Sequence, residues 1–256
     1  MPDPAPGAAG SARLPLIDLA RAFALLHMVL FHLGRDLDTV APGLAGAYGF
    51  SFAPAWQGWA VSIAGSFVFL AGASLQLAHG RGLRTRAFLR RLALLVAAAA
   101  AVSLATYVTF PGQWVRFGIL HSIAASSVVG LAFLRLPPWV TAGAGAGAIA
   151  LGLAVGGPEQ PFAPFDGPLW LWTGLGQPGV WMMDYEPLLP WTGPFLLGMA
   201  AARGAEARGW LAALRGRPRG RLWDRLAWPG RHSLWIYLAH QPILVGAILL
   251  WVRLTG

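Results

Sequence analysis

Seven stretches of this chain stay apolar over the length needed to cross a bilayer, and that constrains the fold more than any motif does. They are residues 14–33, 58–78, 89–109, 117–134, 139–156, 188–202 and 233–252. A spanning helix takes about 20 mostly apolar residues, roughly 17–25. Lipid offers the backbone no hydrogen-bond partner, so each span must close its bonds internally as a helix. The expected fold is therefore all-α, a polytopic membrane helix bundle of about seven spans. The sixth is short and holds Pro190 and Pro194, which predicts an irregular start sheltered by other helices.

Charge sets the orientation. Only 11% of the 256 residues are charged and 56% are hydrophobic, whereas a soluble domain carries about 25% charged residues. All 19 basic residues are Arg, against 10 acidic ones, for a net charge of +9. A pI near 11.4 would suit nucleic acid, but on so apolar a chain it indicates basic loops, and no nucleic-acid partner is expected. With the N-terminus in the cytoplasm, fifteen arginines fall in inner segments and three (Arg35, Arg116 and Arg253) in outer ones, while Arg21 lies within a span. That is a clear positive-inside bias. Residues 1–12 read as a disordered cytoplasmic tail, and 13–256 as one transmembrane domain. The 203–231 stretch reads as a basic inner loop with room for a short surface helix. The Pro- and Trp-rich 157–187 stretch reads as an outer loop folded over the bundle. Gly143/Gly147 and Gly152/Gly156 have the four-residue spacing of close helix packing. Cysteine is absent, which excludes disulfides, thiolate metal sites and cysteine nucleophiles.

Ionisable residues inside the first span are the strongest functional signal. Asp or Arg near a helix centre costs about 2.5–3.5 kcal/mol on insertion scales, so such residues face the bundle interior. Arg21 and His32 are eleven positions apart, within about 20° of three full helical turns, and stand ~16 Å apart along the axis. Asp18, Leu25 and Met28 share their face, while His27 lies about 140° round from His32. Asp18 and Arg21 suit an intramembrane ion pair, whether structural or part of a site. Further ionisable groups gather at the outer side. His121 opens the fourth span, and Asp184 and Glu186 precede the sixth. Asp36 and Asp38 follow His32 and read as mostly solvated. Imidazoles and carboxylates at one depth suit general acid–base work. No tight His spacing supports a metal site, and none is expected. In the last span Tyr237, His240 and Gln241 share a helical face, and Pro242 interrupts the backbone bonding. His79 and His232 border inner loops and read as solvated.

Five blocks in order carry a family resemblance: Leu16-Ile17-Asp18-Leu19-Ala20-Arg21 through His32, Ser66 to Gly72, Phe117 to His121, Asp184 to Trp191, and His232 to Pro242. They resemble the catalytic-domain family of heparan-alpha-glucosaminide N-acetyltransferases in its bacterial membrane-protein branch. They are also similar to the wider transmembrane acyltransferase superfamily, which includes enzymes that O-acylate bacterial surface polysaccharides. The resemblance spans roughly residues 12–253. It implies an acyltransferase of the bacterial inner membrane that uses acetyl-CoA as donor and a glycan or glycolipid outside the cytoplasm as acceptor.

Under that resemblance the catalytic candidates are His32, Arg21, His121, Asp184 and Glu186, and the donor-binding candidates are Asp18, Arg21, Arg84, Arg86, Arg90 and His240. The family's eukaryotic members are implied to use a histidine just before the second span. Residues 39–58 contain none here, which leaves His32 or His121 for that role. Two other readings stay open at this level: a non-enzymatic transporter or flippase, and a structural envelope protein. A homo-oligomer is also left open, and the lipid bilayer is the one partner that composition requires.

Overall fold

The computed structural model describes residues 14–41, 49–155, 165, 167–176, 181–215 and 220–255. The expected tail at 1–12, together with Arg13, Gly156, Arg217 and Arg219 and much of the 157–187 stretch, lies outside the described residues. Among those described, the chain is helical with no strand. In order the helices are α1 (Pro15–Val40), α2 (Pro54–His79), α3 (Thr85–Thr109), α4 (Ile119–Gly130), α5 (Pro138–Val155), α6 (Leu188–Ala207), α7 (Trp210–Arg215), α8 (Arg221–Arg231) and α9 (Ser233–Thr255).

Every predicted span is helical. Five helices among the described residues, α1, α2, α3, α5 and α9, are long and apolar enough to cross a membrane. The fourth predicted span becomes the 12-residue α4 and a 3-10 turn at Leu131–Phe133. The sixth, α6, begins irregularly as predicted, with Leu189 at φ −102° and ψ 124° and Pro194 inside the helix. Proline starts α1, α2 and α5, where the missing N–H is one the helix could not use.

Enclosure by its neighbours is what sustains α6. It packs most extensively against α2 and α5, and next against α4. Phe195 and Met199 are fully buried there, with Val68 of α2 and Ser122 and Ser126 of α4. Small residues let the backbones approach. A Cβ at Gly72 would strike the Phe195 carbonyl, and one at Gly198 the Phe69 carbonyl. On α5 the close approach falls on Gly145, beneath Gly193 and Leu197, and on Gly152, against Pro190. Gly143 and Gly147, expected to do this, face open space. The expectation thus holds at Gly152 but not at Gly143 and Gly147, where the packed position is the intervening Gly145.

The other half of the molecule is looser. α1 runs alongside α9 and α2 and carries α8 against its first turns. Its contact with α2 is made by aromatic side chains: Trp59 donates to Nδ1 of His27 at 3.1 Å, and Phe31 stacks on Trp56.

This packing predicts opposite outcomes for two glycines on one helix. Gly72→Val forces the α2 and α6 backbones apart and should cost at least about 2 kcal/mol. Gly58, with nothing near its missing Cβ, should accept Ala at no cost or a gain up to about 0.5–1 kcal/mol. Thermal unfolding in one detergent compares the two, and equal melting temperatures would refute the close-packing account.

Candidate functional site

The polar stripe on α1 folds as its spacing predicts. Asp18, Leu25 and Met28 are buried, and Arg21 and His32 half-buried. Arg21 pairs with Asp18 at 3.2 Å and also donates to the Ser74 hydroxyl of α2. Ser74 in turn donates to the Leu70 carbonyl at 2.5 Å. The ion pair thus ties α1 to α2. Its surroundings remain net positive, because Arg91 of α3 lies within electrostatic range of Arg21. An open groove beside it is lined by Arg84, Arg86, Arg90 and Arg91. Arg84, Arg86 and Arg90 are exposed there and free to meet an anion. Sequence reading did not single out Arg91, yet it connects that groove to Arg21.

About three helical turns along α1, His32 meets a partner the sequence did not pair with it. Its ring lies 4.9 Å from that of His240, centroid to centroid, across the α1–α9 contact. Nδ1 of His240 sits 2.6 Å from the Tyr237 carbonyl. A carbonyl only accepts, so Nδ1 carries the proton and Nε2 of a neutral ring keeps its lone pair. That Nε2, and Nδ1 of His32, are buried without a hydrogen-bond partner among the described residues. Beside them Gln241 donates to Oδ1 of Asp36 at 3.0 Å.

The expected solvation of Asp36 and Asp38 is corrected by this geometry, since both are buried. α1 continues to Val40, beyond the expected end at 33, so its last turns lie within the fold. Asp38 accepts from the Gly49 amide at 2.7 Å and from the Ser51 amide and hydroxyl at 3.0 and 2.6 Å, fixing the return of the chain to α2. The longer helix also brings in Arg35, which lies within electrostatic range of His32, Asp36 and Asp184. Apolar content alone ended the helix too early, and Arg35 was read as a loop residue for that reason.

Asp184 and Glu186 stand at this same end. Asp184 accepts from the Ile119 amide at 3.1 Å, capping the start of α4. The Glu186 amide donates to the Phe117 carbonyl at 3.0 Å. Both carboxylates lie within electrostatic range of Tyr237, one turn before His240. Burial raises the Asp184 carboxyl above its usual range. Burial and the neighbouring Asp184 raise Glu186 well above its own. Leu188 and Leu189 donate to the carbonyls of Trp172 and Thr173 at 2.9 and 3.0 Å, so the described part of the Trp-rich stretch is fastened to the start of α6.

His121 behaves differently. Its Nδ1 accepts from the Gly118 amide at 3.2 Å and its Nε2 lies 3.4 Å from the Ser103 hydroxyl. Nδ1 thus caps the start of α4 itself, Nε2 ties that start to α3, and among the described residues no contact joins the ring to His32. His79 is buried rather than solvated, with Nδ1 accepting from the Arg84 amide at 3.3 Å. His232 is exposed as expected. Among the described residues no group of three potential ligands could hold a metal ion.

Comparison with protein families matches residues 13–242 to heparan-alpha-glucosaminide N-acetyltransferase, catalytic. The match covers nearly the whole chain and includes both ends of the α1 stripe and the α9 histidine. The chain belongs to this family. It is thereby a member of a membrane acetyltransferase family, with several helices able to span a bilayer. No curated protein and no solved structure matches it.

The raised Glu186 carboxyl gives a stability test. Its folded form holds a proton that the unfolded chain releases at lower pH, so Glu186 costs stability as pH rises above the ordinary glutamate range. Glu186→Gln should therefore raise the melting temperature at pH 8 by more than at pH 5. An equal change at both would mean that Glu186 ionises normally in the folded protein.

Proposed function

We propose that this protein moves an acetyl or similar acyl group from cytoplasmic acyl-CoA to a hydroxyl or amine of an extracytoplasmic glycan or glycolipid. The observation that carries the reading is the His32–His240 pair, which joins α1 to α9 with two buried ring nitrogens unpartnered among the described residues, while His32 shares α1 with Arg21. In this orientation the arginine groove faces the cytoplasm of a bacterial inner membrane, as the positive-inside bias requires.

The chain's own groups divide the work. Arg84, Arg86 and Arg90, with Arg91 behind them, bind the phosphates of the donor, because guanidinium forks match phosphate oxygens. The surplus positive charge around Asp18, Arg21 and Arg91 draws the donor's polar arm inward from that groove. When bound, the donor supplies an activated thioester carbonyl and a thiolate leaving group. His32 takes the proton from the acceptor oxygen or nitrogen as that atom bonds to the acyl carbon, and returns it to the departing sulfur. In the acyl-carrier route a ring nitrogen of His32 attacks the thioester carbon and expels the thiolate, and the acceptor then attacks the acyl-imidazole and releases the ring. His240 keeps the facing ring in place and offers Nε2 as a second proton acceptor. Asp184 and Glu186 orient the acceptor beneath the fastened loop. His121 acts at one remove, by setting α4 and hence the amide that Asp184 caps.

Labelled acetyl-CoA incubated with purified protein tests the reading through CoA release and label transfer. His32→Ala should lower turnover by at least about 100-fold, the usual contribution of a positioned general base, with the melting temperature held within a few degrees. Full activity in that variant would overturn the assignment. Solute flux through proteoliposomes without CoA turnover would favour a transporter instead. Label recovered on His32 would mark the acyl-carrier route, and its absence with retained turnover the direct one.

A further inference from the structure

α8 is the segment that neither the core nor the candidate site absorbs. Seven of its eleven residues form three sectors on a helical wheel. Ala227 and Gly230 are buried against α1. A Cβ at Gly230 would overlap the Asp18 backbone, so α8 lies directly on the first turns of α1. Leu222, Leu226 and Pro229 form a second sector within about 60° of one another, and both leucines are more than half exposed, at 66% and 52%. Arg221 and Arg225, one turn apart, make the third, adjoining the leucines. Trp223, between Gly230 and Ala227 in angle, and Trp228, beside Arg221, are exposed too.

Its charges are unequal in their freedom. Arg231 is occupied, meeting the Asp224 carboxylate at 3.8 Å and donating to the Asp224 carbonyl. Arg221 and Arg225 meet no carboxylate among the described residues. The depth of the helix follows from its connections. It rests on the start of one apolar helix, α1, and within two residues of its end the chain enters another, α9. That places α8 at the surface of the bilayer, at the arginine-rich end. A helix there with exposed apolar residues on one side, two arginines beside them that meet no carboxylate among the described residues, and two exposed tryptophans has the build of an interfacial helix. Its free cations stand where lipid phosphates stand.

We propose that α8 is a membrane-surface helix that binds the headgroups of anionic lipids through Arg221 and Arg225 while Leu222 and Leu226 enter the acyl boundary. This does not depend on the acyl-transfer reading, and its test uses no donor. Because the chain has no cysteine, Leu222→Cys provides a single site for an environment-sensitive NBD fluorophore. The labelled full-length protein is placed in nanodiscs of phosphatidylcholine alone or with phosphatidylglycerol at about a third of the lipid.

Phosphatidylglycerol should shift the NBD emission to the blue and increase its quenching by brominated lipid, and high salt should reverse both, as for screened charge. Arg221→Gln with Arg225→Gln should remove most of the phosphatidylglycerol dependence, and the double Lys variant should restore it. Emission that ignores phosphatidylglycerol, or a double Gln variant that responds like the parent, would overturn the proposal. The double Lys variant shows that lost charge, rather than lost folding, accounts for the Gln result.

Discussion

A charged pair inside an apolar helix is the feature around which this molecule is arranged. Asp18 and Arg21 neutralise each other within α1, and burying either alone would be far more costly. The pair also recruits its surroundings. Ser74 brings α2 to it, Arg91 brings α3 within electrostatic range, and Gly230 allows α8 to lie on the Asp18 backbone. Four helices therefore meet at this one ion pair. The groove lined by Arg84, Arg86 and Arg90 opens beside that meeting point, so positive potential runs from it inward toward the half-buried Arg21 guanidinium.

The far end of α1 works by a different economy. Here His32, Asp36, His240 and Gln241 come together from two helices, with Arg35 and the 184–186 segment close by. The polar atoms outnumber the hydrogen bonds: Nδ1 of His32, Oδ2 of Asp36, Nε2 of His240 and Oε1 of Gln241 are buried without partners among the described residues. A purely structural cluster would be expected to satisfy such atoms. Catalytic and binding sites are settings where such atoms stay open, and here they gather at the His32 end rather than at the ion pair.

Much of this was legible in the order of residues. Long apolar runs placed the helices, because lipid leaves the backbone no alternative. The α1 stripe followed from 100° of rotation per residue, and Pro190 and Pro194 foretold the broken start of α6. Contacts between distant helices were not legible. Nothing in the spacing of His240, Gln241 or Tyr237 says which helix their face meets, and only the parallel packing of α9 on α1 brings His240 to His32. The burial of Asp36 and Asp38 was missed because polar residues ended the predicted span, although a helix continues for as long as its side chains find partners. For the glycines of α5, the spacing revealed that a close approach exists but could not choose among interleaved Gly positions.

The direct backbone contact at Gly72 and Gly198 divides the molecule mechanically. α2 and α6 touch with no side chain between them, so neither can slide or tilt without lifting the other, and α5 is locked to the same plate through Gly145 and Gly152. α1 has no such contact with α2; it leans on it through Trp59, His27 and a guanidinium, groups that can re-aim without unpacking a backbone. The weakest seam in the packing therefore runs between α1, with α8 and α9 attached, and the plate of α2, α6 and α5.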